Sequence, residues 1–259
     1  MASTPKKAEL RVARIEPHAL PGRQSGLEKA CHASSYNVVY PSITAFSAPP
    51  LQKTMPSSTP QHLDTSGTSF TGCSWMNPPP VSRIVDDTLH VRTAHDTDFW
   101  RITSYGFIHD NGHFFAKEVN GGFTAQVRIH ADFRELYDQA GLMVRIDETT
   151  WIKVGAEFSD GQPMFSTVLT NGKSDWSVMP APVCKDGFWI RITVSDGVVR
   201  AQYSVDRKNW PMLRLAPFPE AAHYAVGPMC CTPKGKGLDV AFSEFVVTRA
   251  LKKGLHDLT

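Results

Sequence analysis

The chain has 259 residues, 41% of them hydrophobic and 20% charged, and its 27 basic and 25 acidic side chains leave a net charge of +2. That balance, with no block of five like charges, excludes general nucleic-acid binding, which needs a concentrated basic surface. No apolar run approaches the roughly 20 residues that cross a bilayer, and the start lacks the apolar core of a secretory signal.

Residues 1–69 are punctuated by Pro5, Pro17, Pro21, Pro41, Pro49, Pro50, Pro56 and Pro60, with Ser and Thr between them. Tyr36 to Tyr40 is the only strand-like patch there. Such a segment buries too little apolar surface to offset its ordering entropy, so a disordered Pro/Ser-rich extension is expected. Either Met55 serves as an alternative start or residues 1–54 form a mobile tail. Glu9, Glu16 and Glu28 count against an organelle transit peptide.

From Phe70 the texture becomes that of a β domain running to residue 248, with a basic tail at 249–259. Trp75-Met76 lead into Asn77-Pro78-Pro79-Pro80, a stiff extended turn. Short strands follow at Ile84-Val85 and Leu89–Arg92, split by Asp86-Asp87; the segments Thr97–Arg101 and Tyr105–Phe107 come after them. Asp110-Asn111-Gly112 has tight-turn chemistry, because Asn-Gly tolerates positive backbone angles. Phe123–His130 alternates apolar and polar residues, and Asp132–Asp138 suggests one helical turn.

Gln139–Phe158 (QAGLMVRIDETTWIKVGAEF) is the clearest stretch. Ala140, Leu142, Val144 and Ile146 fall on one face, and Ile152, Val154, Ala156 and Phe158 on the matching face beyond Asp147–Thr150. Period-two alternation on both sides of a short polar link predicts a hairpin with one face in a core. The other face carries Met143, Arg145, Trp151, Lys153 and Glu157, an unusual set for a surface that meets only water.

Further strands are expected at Phe165–Thr170, Phe188–Val194, Val199–Val205, Tyr224–Cys231 and Leu238–Val247, with turns at Asp160-Gly161, Asn171-Gly172 and Asp196-Gly197. Asp206–Trp210 reads as hairpin closure with an aromatic plug. About a dozen short strands with almost no helix predict an all-β, two-sheet jelly-roll sandwich.

The five cysteines, Cys31, Cys73, Cys184, Cys230 and Cys231, are odd in number and lack the spacing of a zinc site. Neither a disulfide framework nor a metal or cofactor is expected, and a reducing, cytoplasmic compartment is the economical reading.

The series WMNPPP (75–80), TDFWR (97–101), YGF (105–107), DNGHFF (110–115), QAGLMVR (139–145), WIKVGAE (151–157), SDWS (174–177) and VGPMC (226–230) resembles one family throughout. It is a domain-of-unknown-function family with a concanavalin A-like lectin/glucanase fold. The family includes a regulator-of-enolase protein, and the C-terminal sandwich domains of some β-xylosidases look like distant relatives. The resemblance covers residues 70–248 and implies a convex and a concave sheet, with sugar sites on the concave one.

On that implied face, Trp100, Tyr105, Trp151 and Trp176 would offer stacking surfaces to a carbohydrate. Arg101, Asp110, His113, Arg145, Lys153 and Glu157 would offer polar contacts, and Trp189 with Arg191 would lie on the same side. The plainer alternatives are a cross-strand pair of Arg145 or Lys153 with Glu157, an Arg101–Asp110 ion pair fixing a loop, and a packed His113. Glycoside hydrolysis needs two carboxylates across a cleft. Catalytic members of the concanavalin A-like superfamily carry them in an E-x-D-x-x-E run, which is absent, so Glu157 would need a partner such as Asp110 or Asp175. No Ser-hydrolase, zincin, phosphate-loop or dinucleotide motif occurs. The reading is a non-catalytic module binding a carbohydrate or related small ligand. Its alternatives are a regulatory partner of a metabolic enzyme and a glycoside hydrolase using Glu157.

Overall fold

The computed structural model describes residues 67–182 and 186–259. The expectations for the proline-rich extension, Met55, Cys31 and Cys184 lie outside the described residues.

Sixteen strands and no helix are found among those residues. One seven-stranded sheet runs β1 (Ser74–Met76), β6 (His113–Val119), β15 (Tyr224–Cys231), β8 (Gln139–Arg145), β9 (Thr150–Ser159), β10 (Gln162–Asn171) and β11 (Lys173–Pro180). The second runs β14 (Met212–Pro217), β13 (Val198–Ser204), β12 (Phe188–Ser195), β7 (Phe123–Ala131), β16 (Asp239–Arg249), β3 (Thr88–Arg92) and β2 (Val81–Val85). A two-stranded ribbon, β4 (Phe99–Arg101) with β5 (Ile108–Asp110), stands apart from both. All neighbouring strands are antiparallel. The architecture is the expected two-sheet sandwich.

The alternating residues close the core. Ala140, Leu142 and Val144 of β8 and Ile152, Val154 and Ala156 of β9 pack with Ala125, Val127 and Ile129 of β7 and Ile190 and Ile192 of β12. Each fully buried Val, Leu or Ile side chain among them contributes about 2 kcal/mol by leaving water. The hairpin register pairs Leu142 with Val154, so the two inner faces coincide. Asp147 closes the link by accepting bonds from the Thr149 N–H (2.7 Å) and hydroxyl (2.8 Å). Asp160-Gly161 and Asp196-Gly197 form turns with both residues at positive φ, as Asp-Gly chemistry predicts.

Several local expectations are corrected. Asn111-Gly112 is not a hairpin turn: it carries the chain from β5 into β6, and both amides donate to the Asp98 carbonyl. Gly112 is needed because a Cβ there would lie 2.4 Å from the Phe99 ring. The ribbon turns instead through Ile102–Phe107, where Ile102, Ser104 and Gly106 all have positive φ. Asp132–Asp138 contains a turn and no helix. Trp189 and Arg191 lie on β12, in the opposite sheet from the hairpin. The segment after Arg249 is held against β13, with the Arg200 guanidinium donating to the carbonyls of Lys253, Gly254, Leu255 and Asp257.

On the outer face of β8 and β9, Gly141 sits opposite Gly155. A Cβ on Gly155 would lie 2.1 Å from the Ala140 carbonyl oxygen, which is backbone and cannot step aside. Gly155→Ala is therefore expected to lose about 3 kcal/mol or more of stability, measured by urea unfolding. A loss under about 0.5 kcal/mol, the scale of an ordinary surface change, would contradict this close approach.

Candidate functional site

The outer face of the first sheet is covered rather than solvated. Met143, Trp151, Val168, Met229, Cys231 and Phe114 project from it and pack against Phe99 and Trp100 of the β4–β5 ribbon, forming a second apolar cluster. The ribbon is pinned at both ends. Arg145 makes a bidentate pair with Asp110, at 2.7 and 2.9 Å. The Asn77 side chain donates to the carbonyls of Asp110 and Gly112, each at 2.9 Å. At the other end the Arg101 amide donates to Ser174 Oγ and its Nε to the Gly172 carbonyl.

Beside the ribbon lies a pocket of about 160 Å³. Trp100, Tyr105, Phe107, His109, Tyr137 and Trp176 form its walls. Trp176 stands nearly perpendicular to Trp100, at 89°, and at 78° to Tyr137. The hydroxyls of Tyr105 and Tyr137 are 3.3 Å apart. Three non-glycine residues in strained backbone, Ile102 (φ 65°), Ser104 (φ 63°) and Tyr137 (φ 66°), belong to the segments that build this wall.

The floor is polar. Lys153 is buried, and its ammonium donates to Asp98 Oδ1 (3.0 Å) and Gln139 Oε1 (2.7 Å). Lys153 and Gln139 stand two rows apart on β9 and β8, and they meet across the Gly141–Gly155 row, where no side chain intervenes. Burial works against the ammonium, but the Asp98 carboxylate, with Cys231 and Glu157 nearby, outweighs it and holds the lysine pKa above its ordinary value. Gln139 Nε2 donates to Asp98 Oδ1 (3.2 Å) and to the Tyr137 carbonyl (3.3 Å). Glu157, also buried, accepts from Ser166 Oγ (3.1 Å), which in turn accepts from Trp176 Nε1 (3.1 Å). Burial pushes the Glu157 carboxyl up to about 7, against the opposing pull of Lys153 and the Ser166 bond.

Of the sequence-expected residues, Trp100, Tyr105, Lys153, Glu157 and Trp176 line the pocket. The others do not. Trp151 is fully buried edge-on to Phe99, so it cannot present a stacking face. Arg145 and Asp110 neutralise each other, because they are the pin of the ribbon. Arg101 bonds backbone and Ser174 on the edge of the sheet. His113 is buried, accepting from the Ala94 amide at Nε2 and donating from Nδ1 to the Asn77 carbonyl, and burial lowers its pKa. It is a neutral packed histidine. The anticipated pairs Arg145–Glu157, Lys153–Glu157 and Arg101–Asp110 give way to Arg145–Asp110 and Lys153–Asp98. Sequence reasoning missed Asp98, Gln139, Tyr137, Phe107 and His109. Asp98 and Gln139 each lie inside a recognised stretch, TDFWR (97–101) and QAGLMVR (139–145), but only the folded ribbon brings them to Lys153. Among the described residues no group of three or more His, Cys, Asp or Glu is placed to hold a metal ion.

Fold and site together define a two-sheet jelly-roll sandwich with a ribbon-covered outer face and an aromatic-walled pocket. The chain matches the family described as "Protein of unknown function (DUF1349)" over residues 75–250 and belongs to it. It is 49% identical over 197 residues to "Regulation of enolase protein 1" of Saccharomyces cerevisiae, covering 76% of this chain and 100% of that one. A crystal structure of a functionally unknown protein from Saccharomyces cerevisiae is similar at TM-score 0.69 and 50% identity, covering 71% of this chain and 100% of that chain. The GH43 BlXynB protein from Bacillus licheniformis shares the fold at TM-score 0.54 and 15% identity, over 71% of this chain and 39% of that one.

The Glu157 environment has a thermodynamic signature. A carboxyl that titrates near 7 when folded and near its ordinary 4.5 when unfolded stabilises the fold fully below about 4.5. That contribution is lost as pH rises through 7. Glu157→Gln removes the dependence. Its stability relative to wild type should therefore rise by up to ~3 kcal/mol between pH 4.5 and 8, measured by urea unfolding of both proteins. Parallel pH–stability curves would contradict the buried, protonatable carboxyl.

Proposed function

We propose that this protein is a non-catalytic binding module whose pocket takes a carbohydrate or a related small, hydroxyl-rich ligand. The observation that carries the reading is the convergence of an aromatic wall with buried Lys153, Gln139 and Glu157 and the partly exposed Asp98 in one concavity. Apolar walls bury the flat faces of a ring, and a few fixed polar groups orient it. An open half of the wall, with Tyr105 at 50% and Trp176 at 36% exposure, leaves the ligand a way in. The three described cysteines are buried free thiols, in keeping with a reducing, cytoplasmic setting. No helix among the described residues is long and apolar enough to cross a membrane.

Binding rather than cleavage is favoured by the state of the two carboxylates on the pocket floor, Asp98 and Glu157. Glycoside cleavage needs one carboxylate as acid and a second as nucleophile or base. Asp98 Oδ1 already accepts from Lys153, Gln139 and its neighbour's amide, Phe99 N–H (2.7 Å). That oxygen is occupied by three donors and is not free to take a proton from an attacking water.

The second reading, a regulatory partner of a metabolic enzyme, is favoured by the 49% identity to a protein named for regulation of enolase. Size-exclusion chromatography of this protein mixed with purified enolase tests it, a co-eluting complex being the positive result.

For the leading reading, calorimetry with simple methyl glycosides is the direct measurement. Trp176→Ala, which removes one wall, should weaken binding about tenfold, the worth of one aromatic contact of roughly 1.4 kcal/mol. Trp189→Ala, on the opposite sheet, should leave affinity unchanged. Equal effects of the two variants, or no binding by wild type, would refute the pocket as the site.

A further inference from the structure

The hydrogen-bond valences of the floor are incompletely used. The Lys153 ammonium has three N–H donors, and two are spent on Asp98 Oδ1 and Gln139 Oε1. Gln139 is fully engaged: Oε1 accepts from Lys153, and Nε2 donates to Asp98 and to the Tyr137 carbonyl. Asp98 Oδ1 takes three donors, whereas Oδ2 takes none from the described residues. Glu157 Oε2 is held by Ser166, while Oε1 takes no donor there. One donor and two acceptors thus remain unused on side chains that line the pocket. Lys153 and Glu157 are buried and Asp98 is partly exposed, so these atoms meet whatever fills the pocket.

An adjacent pair of hydroxyls satisfies all three atoms at once. One hydroxyl accepts from Lys153 and donates to Asp98; its neighbour donates to Glu157. A carboxylate or a fully ionised phosphate ester cannot do this, because it brings no donor to either carboxylate. The pocket volume, about 160 Å³, falls below the ~300–1,000 Å³ typical of drug-sized ligands. The β4–β5 ribbon also lies across the sheet face, where an extended chain would have to run.

We propose that the pocket binds a single sugar ring through a vicinal diol, with Lys153 Nζ donating to one hydroxyl and Asp98 Oδ2 and Glu157 Oε1 accepting from the pair. The ligand is then a free monosaccharide or the terminal ring of a glycan, never an internal unit. This rests on the pocket being a carbohydrate site and specifies which part of the sugar it reads.

Calorimetry on the full chain compares methyl glucoside, methyl galactoside and methyl xyloside with their fully O-methylated counterparts, which keep the ring but lose every hydroxyl donor. At least one free glycoside should bind, and its methylated form should bind tenfold or more weakly. Equal binding of free and methylated forms overturns the diol and leaves the carbohydrate reading standing. No binding by any of them overturns both. Affinity that climbs steadily from mono- to trisaccharide overturns the single-ring part, since a terminal ring gains nothing from added length.

Glu157→Gln supplies a variant that keeps the side-chain shape. It should bind the free glycoside severalfold more weakly than wild type at about pH 8, where the wild-type carboxyl is ionised, and the deficit should narrow near pH 6. Asp96, Asp98, His109, Tyr137, Lys153 and Lys234 also face the pocket, and they are common to both proteins, so the difference isolates Glu157. A deficit independent of pH overturns the assigned role of Glu157.

Discussion

An ammonium group sealed inside a protein must be paired with an anion and hydrogen-bonded, or its burial costs several kcal/mol. Lys153 imposes that requirement on the outer half of this sandwich. It projects from the middle strand region of β9, away from the main core, and neither of its strand neighbours supplies an acceptor: Met143 lies opposite on β8 and Val168 on β10. The acceptors come from Asp98, at the entrance to the ribbon, and from Gln139, at the start of β8. Docking the ribbon and neutralising the lysine are therefore one event. The same movement brings Phe99 onto Trp151 and sets Trp100 beside Trp176, so the second apolar cluster and the pocket wall form together.

What the sequence made legible follows the same division. The inner faces of β7, β8, β9 and β12 could be read from period two, because a residue's side of a strand is fixed by the backbone and needs no tertiary knowledge. The outer face could be read as a face but not as a covered one. Alternation looks alike whether the second side meets water or a ribbon. Met143 and Trp151 were the signal, since two large apolar groups at alternating outer positions are out of place in water. Charge identity was less readable still. Arg145 with Asp110 and Lys153 with Asp98 are each a base paired with an aspartate, yet one pair is a pin and the other a pocket floor, and only the path of residues 93–112 separates them. Asn111-Gly112 shows the same limit at the level of turns. Its glycine answers a steric contact with Phe99 rather than a need for positive φ, and sequence alone does not tell these two uses of glycine apart.

The likeness to the GH43 BlXynB protein, at 15% identity, belongs to the sandwich and carries no information about the pocket. The features that distinguish this outer face are local: a glycine pair that lets a lysine lie flat across two strands, and a strained turn at Ile102. Neither is required to make two sheets pack. A sandwich built only for its core could cover the same face with short polar side chains and leave β4 and β5 out.

The two carboxylates on the pocket floor are in unlike surroundings, and their difference sets what can bind. Asp98 Oδ1 faces an ammonium, an amide and a backbone N–H. Glu157 has one hydroxyl donor and is otherwise buried, so its proton is held until about pH 7. With Lys153 the floor therefore carries a net charge near zero in mild acid and near −1 above neutrality. An anionic ligand meets a neutral or repelling floor at every pH in that range, and its oxygens compete with Asp98 for the same ammonium. A neutral, hydroxyl-bearing ligand meets one fixed acceptor, one fixed donor and one group that donates when protonated and accepts when ionised. The aromatic rings above add no charge and hold the ligand by its apolar faces. Charge balance at the floor and flat apolar walls thus select for the same chemistry, an uncharged ring edged with hydroxyls.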